Sequence, residues 1–309
     1  MITTIALSPA VDKIYFADSF NAGGLYRVKE VIKSAGGKGI NVARVAAILG
    51  EKVISLGFKA GDTGNWLAAK LGELGVDVRF ITVQGESRTN NNIIDRVNNT
   101  ETELLEVGPH INESSIREFW EIFERALDTT KVLVCSGGLP EGVPEDFYRK
   151  LIAAASSRNI KVILDSSSKT LEEGIKAKPF IIKPNARELS SLVGKTLESR
   201  DAVIDACRHI NSLGVEIVAA SLGGEGAMLV SEQQILYAKA PEIKVVNTIG
   251  SGDSMVAGLA AGIERGYEMA EAFKLGVACA AVNALFREIG FVKAEMVEKF
   301  QREIEVERL

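Results

Sequence analysis

Asp253 closes the segment Asn247-Thr-Ile-Gly-Ser-Gly-Asp253, and a small, apolar run follows it, Ser254-Met-Val-Ala-Gly-Leu-Ala-Ala-Gly262. Gly250 and Gly252 permit tight backbone geometry, and the apolar run predicts a buried helix. The first N–H groups of such a helix lack intrahelical partners, and the helix dipole sets partial positive charge behind them. That is an anion site. A carboxylate at its mouth can simply cap the helix. It can also serve as a general base while the N–H groups hold a phosphoryl group in transfer.

A second glycine cluster, Ser34-Ala-Gly-Gly-Lys-Gly-Ile-Asn-Val-Ala43, runs into an apolar helix predicted over roughly Ile40–Leu49. Its glycines would let backbone approach a ligand, and Lys38 and Asn41 offer donors. The spacing is not that of a P-loop, and no G-x-G-x-x-G stands between a strand and a helix. An ordinary glycine-rich helix start is the structural alternative. In Lys183-Pro-Asn-Ala-Arg-Glu188, Asn185 and Glu188 share one face of a first helical turn. They could hold hydrated Mg²⁺, or they could form a capping box. Ser221-Leu-Gly-Gly-Glu-Gly226 is a glycine-rich turn between two strands that could let a nucleotide lie against backbone. Asp12, Arg27 and Arg88 are isolated charges. If their segments meet, the two guanidiniums could converge on a substrate phosphate.

The elements that must position these groups alternate. Apolar, β-branched runs at Ile2–Leu7, Val53–Gly57, Val132–Cys135, Val162–Asp165, Phe180–Lys183, Ile217–Ala220 and Ala227–Val230 predict strands. Amphipathic stretches at Asn65–Leu74, Glu113–Leu127, Glu145–Ser157 and Arg200–Leu213 predict helices. Such alternation implies an α/β fold with a mainly parallel sheet covered by helices on both faces. Val11–Lys33 and Ser87–Val107 break the pattern. Both read as extended, the second folding at a hairpin turn over Val97–Thr100. Together they predict a small second sheet, a lid beside the strand ends where α/β ligands bind, or else an extension of the main sheet's edge. No linker or repeat divides the 309 residues, so one domain over 1–309 is expected, with the lid from about 11–33 and 87–107.

Composition narrows the function. A net charge of −5 argues against a general nucleic-acid binder. No apolar run reaches the length of a membrane span, and the N-terminus lacks the pattern of a secretory signal. Three distant cysteines, Cys135, Cys207 and Cys279, and two histidines, His110 and His209, fit neither a disulfide framework nor a zinc site. A cytoplasmic protein is expected.

Taken in order, these pieces resemble the ribokinase-like (PfkB) family of carbohydrate kinases across essentially the whole chain. GGKGINVA at 36–43 and NTIGSGDSMVAG at 247–258 carry the likeness. TIALSPAVD at 4–12 and SGGLPEG at 136–142 resemble its 1-phosphofructokinase and tagatose-6-phosphate kinase branch. Ser8, Asn247, Ser251 and Gly138 depart from that branch's usual Asn, Asp, Ala and Ser, and none of these changes removes a catalytic group.

The resemblance implies a three-layer α/β/α domain with a small β-sheet lid, ATP as co-substrate and Mg²⁺ as its partner. Asp253 would be the base, with the backbone of Gly250, Ser251 and Gly252 as the anion hole. Asn185 and Glu188 would organise Mg²⁺ and its waters. Lys183, Ser221, Gly223, Gly226 and Asn283 would face the nucleotide. Asp12, Gly37, Lys38 and Asn41 would hold the sugar, and Arg88 and Arg27 its phosphate. The expected reaction takes fructose 1-phosphate to fructose 1,6-bisphosphate. Phosphorylation of tagatose 6-phosphate is the alternative, and a non-catalytic sugar- or nucleotide-binding protein is a third reading. A homodimer through the lid is also expected from the resemblance.

Overall fold

The structure, a computed structural model, describes residues 1–98 and 100–309. Along the chain the strands are β1 (Ile2–Ala6), β2 (Ala10–Ala17), β3 (Glu30–Gly36), β4 (Val53–Lys59), β5 (Asp77–Thr82), β6 (Arg88–Asp95), β7 (Thr100–Leu105), β8 (Val132–Ser136), β9 (Lys161–Asp165), β10 (Ile181–Ile182), β11 (Ile217–Ser221), β12 (Ala227–Ser231), β13 (Ile235–Ala238) and β14 (Val306–Arg308). The helices are α1 (Lys38–Ile48), α2 (Gly61–Gly72), α3 (Glu113–Leu127), α4 (Phe147–Ser156), α5 (Ser168–Ile175), α6 (Ala186–Val193), α7 (Arg200–Ser212), α8 (Ser251–Glu264), α9 (Met269–Asn283) and α10 (Ala294–Glu303).

The main sheet has the order β14-β13-β12-β11-β10-β9-β8-β1-β4-β5. From β11 to β5 every neighbouring pair is parallel, whereas β12, β13 and β14 add an antiparallel edge. Successive side chains of a strand point to opposite faces, and both faces here are apolar. Ile2 and Ala6 of β1, with Val132 and Val134 of β8, pack into one core with residues of α1, α2, α8, α9 and α10. Ile5, Leu133 and Cys135 pack into the other, with residues of α3 to α7. The three layers follow from that two-sided burial.

Chain order sets the place of the site. From β1 the chain moves to β4 and β5 on one side, then crosses to β8, β9, β10 and β11 on the other. The loops leaving β1 and β8 therefore diverge, and a crevice opens at the strands' carboxyl ends.

The second sheet is separate, in the order β3-β2-β6-β7. β2 pairs antiparallel with β3 and parallel with β6, and β6 pairs antiparallel with β7. The two extended segments thus meet as a sheet of their own rather than widening the main one. Part of the expected hairpin turn, Asn99, lies outside the described residues, and the strands flanking it pair from Asp95 and Thr100. Asp95 secures this end. Its carboxylate accepts from the backbone N–H groups of Asn98, Phe20 and Val97, and these bonds hold its carboxyl down to about 2.

Candidate active site

Helix α8 begins differently from the simplest reading of its sequence. The N-cap is Gly250, in left-handed conformation with φ 79°. A Cβ at Gly250 would lie 2.9 Å from the backbone nitrogen of Gly290, so both conformation and space require glycine. Asp253 is the third helical residue and does not cap. It is 7 % exposed, and its Oδ2 accepts from Asn41 Nδ2 at 2.8 Å. The Ser251 N–H is turned away, donating to the Thr248 carbonyl at 3.2 Å. Gly252 and Asp253 supply the first-turn N–H groups that no backbone carbonyl of the described residues satisfies.

Two lysines and a second carboxylate surround Asp253. Gly37, with φ 89°, is the N-cap of α1, and Lys38 is that helix's first residue. The Lys38 Nζ donates to Asp165 Oδ1 at 3.1 Å, and Lys183 Nζ lies 3.4 Å from the same oxygen. Asp165 and Lys183 are neighbours because β9 and β10 run parallel, with Leu164 opposite Ile182. Each closes the apolar run of its strand. That is the signal by which Asp165, absent from the sequence-derived site, could have been found: a carboxylate at the carboxyl end of a buried parallel strand.

The electrostatics separate the two carboxylates. Burial pushes the Asp165 carboxyl up, but the adjacent Lys183 and Lys38 ammoniums hold it below the ordinary range. Burial pulls the Lys38 ammonium down, but the carboxylates of Asp165, Asp253 and Glu188 carry it above its ordinary value. Asp253 is pushed up to about 6, first by burial. The charge of Asp165 adds to this push, while Lys38, the Asn41 hydrogen bond and Lys183 oppose it. One carboxylate is thus locked as an anion and the other is poised near neutrality. The space above Gly252 is shared with Lys183, whose Nζ would stand 3.2 Å from a Cβ placed there.

The small sheet supplies the opposite wall. Parallel register sets Asp12 against Asn90, and Asn90 Nδ2 donates to Asp12 Oδ1 at 2.7 Å. Burial raises the Asp12 carboxyl, and the Asn90 bond and the Arg88 charge only partly offset it. Arg88 donates from Nε and Nη2 to the Ser8 carbonyl, at 3.3 and 3.2 Å, and from Nη1 to Asn90 Oδ1 at 3.2 Å.

Three connected cavities pass through this constellation. A cleft of about 920 Å³ is lined by Ser221, Gly223, Gly226, Met255 and Ala281. It shares Asn185, Ser221 and Gly252 with a cavity of about 430 Å³ that contains Asp12, Gly37, Lys38, Asn41, Arg88, Lys183 and Asp253. Gly37, Lys38 and Arg88 also line a third cavity, of about 300 Å³, at the β1/β8 crevice, where Ser136, Gly137 and Gly138 contribute. The line therefore runs from an open, mostly apolar cleft, past the α8 N-terminus and Asp253, to a guanidinium. That order suits a phosphoryl donor, an acceptor hydroxyl and an anionic anchor.

Asn185 and Glu188 form the capping box that their spacing allows. Asn185 Oδ1 accepts from the Glu188 N–H at 2.8 Å, and Glu188 Oε2 accepts from the Asn185 N–H at 2.9 Å. This leaves Glu188 Oε1 outside the box. Glu188 itself lines none of the three cavities, unlike Asn185, and two further expectations are also not brought to them. Arg27 is exposed in the segment between β2 and β3 and lines none of the three. Asn283 is fully buried and braces the loop that leads into α8 instead. Its Nδ2 donates to the Ile249 carbonyl (2.9 Å) and Ser251 Oγ (3.1 Å), and its Oδ1 accepts from the Phe291 N–H (3.2 Å).

Comparison with known proteins places the chain in a family. The pattern of the pfkB family carbohydrate kinases matches residues 2–288. The chain is 35% identical to a 1-phosphofructokinase of Bacillus subtilis, over 100% of both chains. It is 36% identical to a tagatose-6-phosphate kinase of Staphylococcus epidermidis, over 99% of both. The crystal structure of Escherichia coli phosphofructokinase-2 in complex with fructose-6-phosphate superposes with a TM-score of 0.89 at 28% identity, covering 98% of each chain. With its three-layer fold, a family pattern over residues 2–288 and full-length sugar-phosphate kinase relatives, the chain belongs to the pfkB family of ATP-dependent carbohydrate kinases.

Proposed function

We propose that the chain transfers the γ-phosphoryl group of ATP to a ketohexose monophosphate, taking fructose 1-phosphate to fructose 1,6-bisphosphate. One observation carries this reading: a single cavity has a poised carboxylate, Asp253, beside the donor cleft, and a guanidinium, Arg88, toward its far end. A sugar already phosphorylated at one carbon fits that polarity with its free primary hydroxyl at Asp253. The hydroxyl oxygen attacks phosphorus, its proton passes to the Asp253 carboxylate, and ADP leaves with the electron pair of the broken P–O bond. Gly252 and Asp253 N–H groups, with Lys38 and Lys183, face the charge that develops on the phosphoryl oxygens. Arg88 and the backbone around Ser136–Gly138 hold the phosphate already on the sugar.

Asn185 lines both of the larger cavities, and with Glu188 one helical turn further on it makes a donor set that suits Mg²⁺ held through water. Glu188 keeps one carboxylate oxygen free and Asn185 stands beside it. Mg²⁺ bound there and to the nucleotide phosphates would neutralise phosphoryl charge.

Tagatose 6-phosphate is the second reading, favoured by the 36% identity to a tagatose-6-phosphate kinase. The same polarity serves it with phosphate and hydroxyl exchanged between the chain ends. The small sheet acts as a lid on one kinase domain spanning 1–309, and its outer surface suits a homodimer. Leu104 of β7 points away from the cavity, and it, Leu25, Val31 and Val107 are large, exposed and apolar. Three buried, unpaired cysteines suit a reducing cytoplasm. The test is kcat/KM with ATP and Mg²⁺ on fructose 1-phosphate and tagatose 6-phosphate side by side. Preference for the first supports the proposal, preference for the second replaces the sugar, and no ADP release with either refutes it.

A further inference from the structure

Among the described residues, four buried side-chain oxygens find no hydrogen-bond partner: Ser34 Oγ, Asn41 Oδ1, Asn92 Oδ1 and Asn211 Oδ1. An unpaired buried polar atom costs the desolvation of that atom with nothing in return, so each calls for a physical reason. Asn41 and Asn92 line the same cavity of about 430 Å³, one from α1 and the other from β6.

Asn92 is 3 % exposed. It stands two residues beyond Asn90, so both point to the same face of the small sheet. Its partners in register are Ile14 on β2 and Glu103 on β7. Ile14 is fully buried and offers no polar atom. Glu103 lines the cavity too, and no cation of the described residues pairs with it. This row of the sheet therefore presents acceptors and no positive charge, in contrast to the Arg88 end.

A phosphate placed there would meet the Glu103 carboxylate and no counter-charge. A hydroxyl fits. It can donate to Asn92 Oδ1 or to Glu103, and it can accept from Asn92 Nδ2, so it satisfies the amide in either orientation. We propose that Asn92, with Glu103 beside it, determines sugar specificity by reading a hydroxyl on the carbons between the substrate's phosphate and its acceptor hydroxyl. The inference rests on the cavity's being the sugar-phosphate site. A site that hydrogen-bonds a substrate hydroxyl rejects analogues that misplace it far more strongly than an apolar wall can.

The experiment compares the wild-type enzyme with Asn92→Leu on fructose 1-phosphate and its C3 and C4 epimers. Leucine keeps the same branched four-atom skeleton, facing the cavity, and leaves no unpaired amide, so the thermal midpoint should be no lower than wild type. The expected result is a rise of about tenfold in sugar KM, with the KM for ATP within about twofold. For at least one epimer, the wild-type preference in kcat/KM should fall at least about fivefold toward parity. Asn92→Ala gives the same readout should Leu disturb the lid. A folded variant that keeps both the sugar KM and the epimer ratios of the wild type overturns the role of Asn92 alone. A wild-type enzyme inactive on every sugar phosphate overturns the reading of the site, and this inference with it.

Discussion

Replacing Asp253 by Asn should make the protein more stable while removing its activity. Asn keeps an oxygen to accept from Asn41 Nδ2 but cannot ionise. Burial pushes the Asp253 carboxyl from its ordinary 3.8 up to about 6. A raised value means that the neutral form is favoured in the folded state. Its stability contribution is present at low pH and is lost as pH rises through about 6. Linkage puts the penalty on the wild type at roughly 3 kcal/mol at pH 8 and about half that at pH 5. For a chain of this size, each kcal/mol moves the midpoint by roughly 2 °C. Thermal unfolding of Asp253→Asn against wild type, followed by calorimetry at several pH values, should show an advantage near 6 °C at pH 8 that narrows to near 3 °C at pH 5. Any pH-independent change in packing cancels in that difference. An advantage that stays constant, or that widens toward acid, would refute the buried-base account of Asp253.

Other perturbations separate the parts of the site. Arg88→Ala should raise the sugar-phosphate KM at least about tenfold while leaving that for ATP within about twofold, measured by initial rates; equal effects on both would remove Arg88 from the anchor. Asp165→Asn leaves the buried Lys183 without its counter-charge, so urea unfolding should show a loss of roughly 3 kcal/mol. Because the Asp165 charge helps to raise Asp253, the same variant should move the acid limb of the kcat profile to lower pH. Gly250→Ala imposes a left-handed residue with a Cβ 2.9 Å from the Gly290 nitrogen, and should cost roughly 2 kcal/mol, read as a fall in thermal midpoint.

What could be read in the sequence was what lies close together along it. The segment 247–253 announced an anion site because glycines, a carboxylate and the following helix are contiguous there. Strands such as β1, β8 and β11 announced themselves as apolar runs buried on both faces. Contacts that depend on register stayed hidden. Asp165 meets Lys183 only because β9 pairs with β10, and Asp12 meets Asn90 only because β2 and β6 run parallel across 78 positions of sequence. α9 gave no helical period because nearly every side of it is buried against α8 and α10. β5 was missed for the opposite reason: it is an edge strand, mostly half-exposed and carrying charged residues. Local rules also left Asp253 open as a cap. Gly250 took that place because only a left-handed residue without a Cβ fits against Gly290, a neighbour that no local pattern reveals.

The most direct test of the central claim is kcat for Asp253→Ala, with sugar-phosphate and ADP binding measured on the same preparation by calorimetry. The expected result is a loss of about a thousandfold or more in kcat with both affinities within about threefold of wild type. Wild-type kcat should fall about tenfold per pH unit below about 6, where Asp253 takes up its proton. A variant that binds both ligands and keeps kcat within about tenfold of wild type would contradict the assignment of Asp253 as the base.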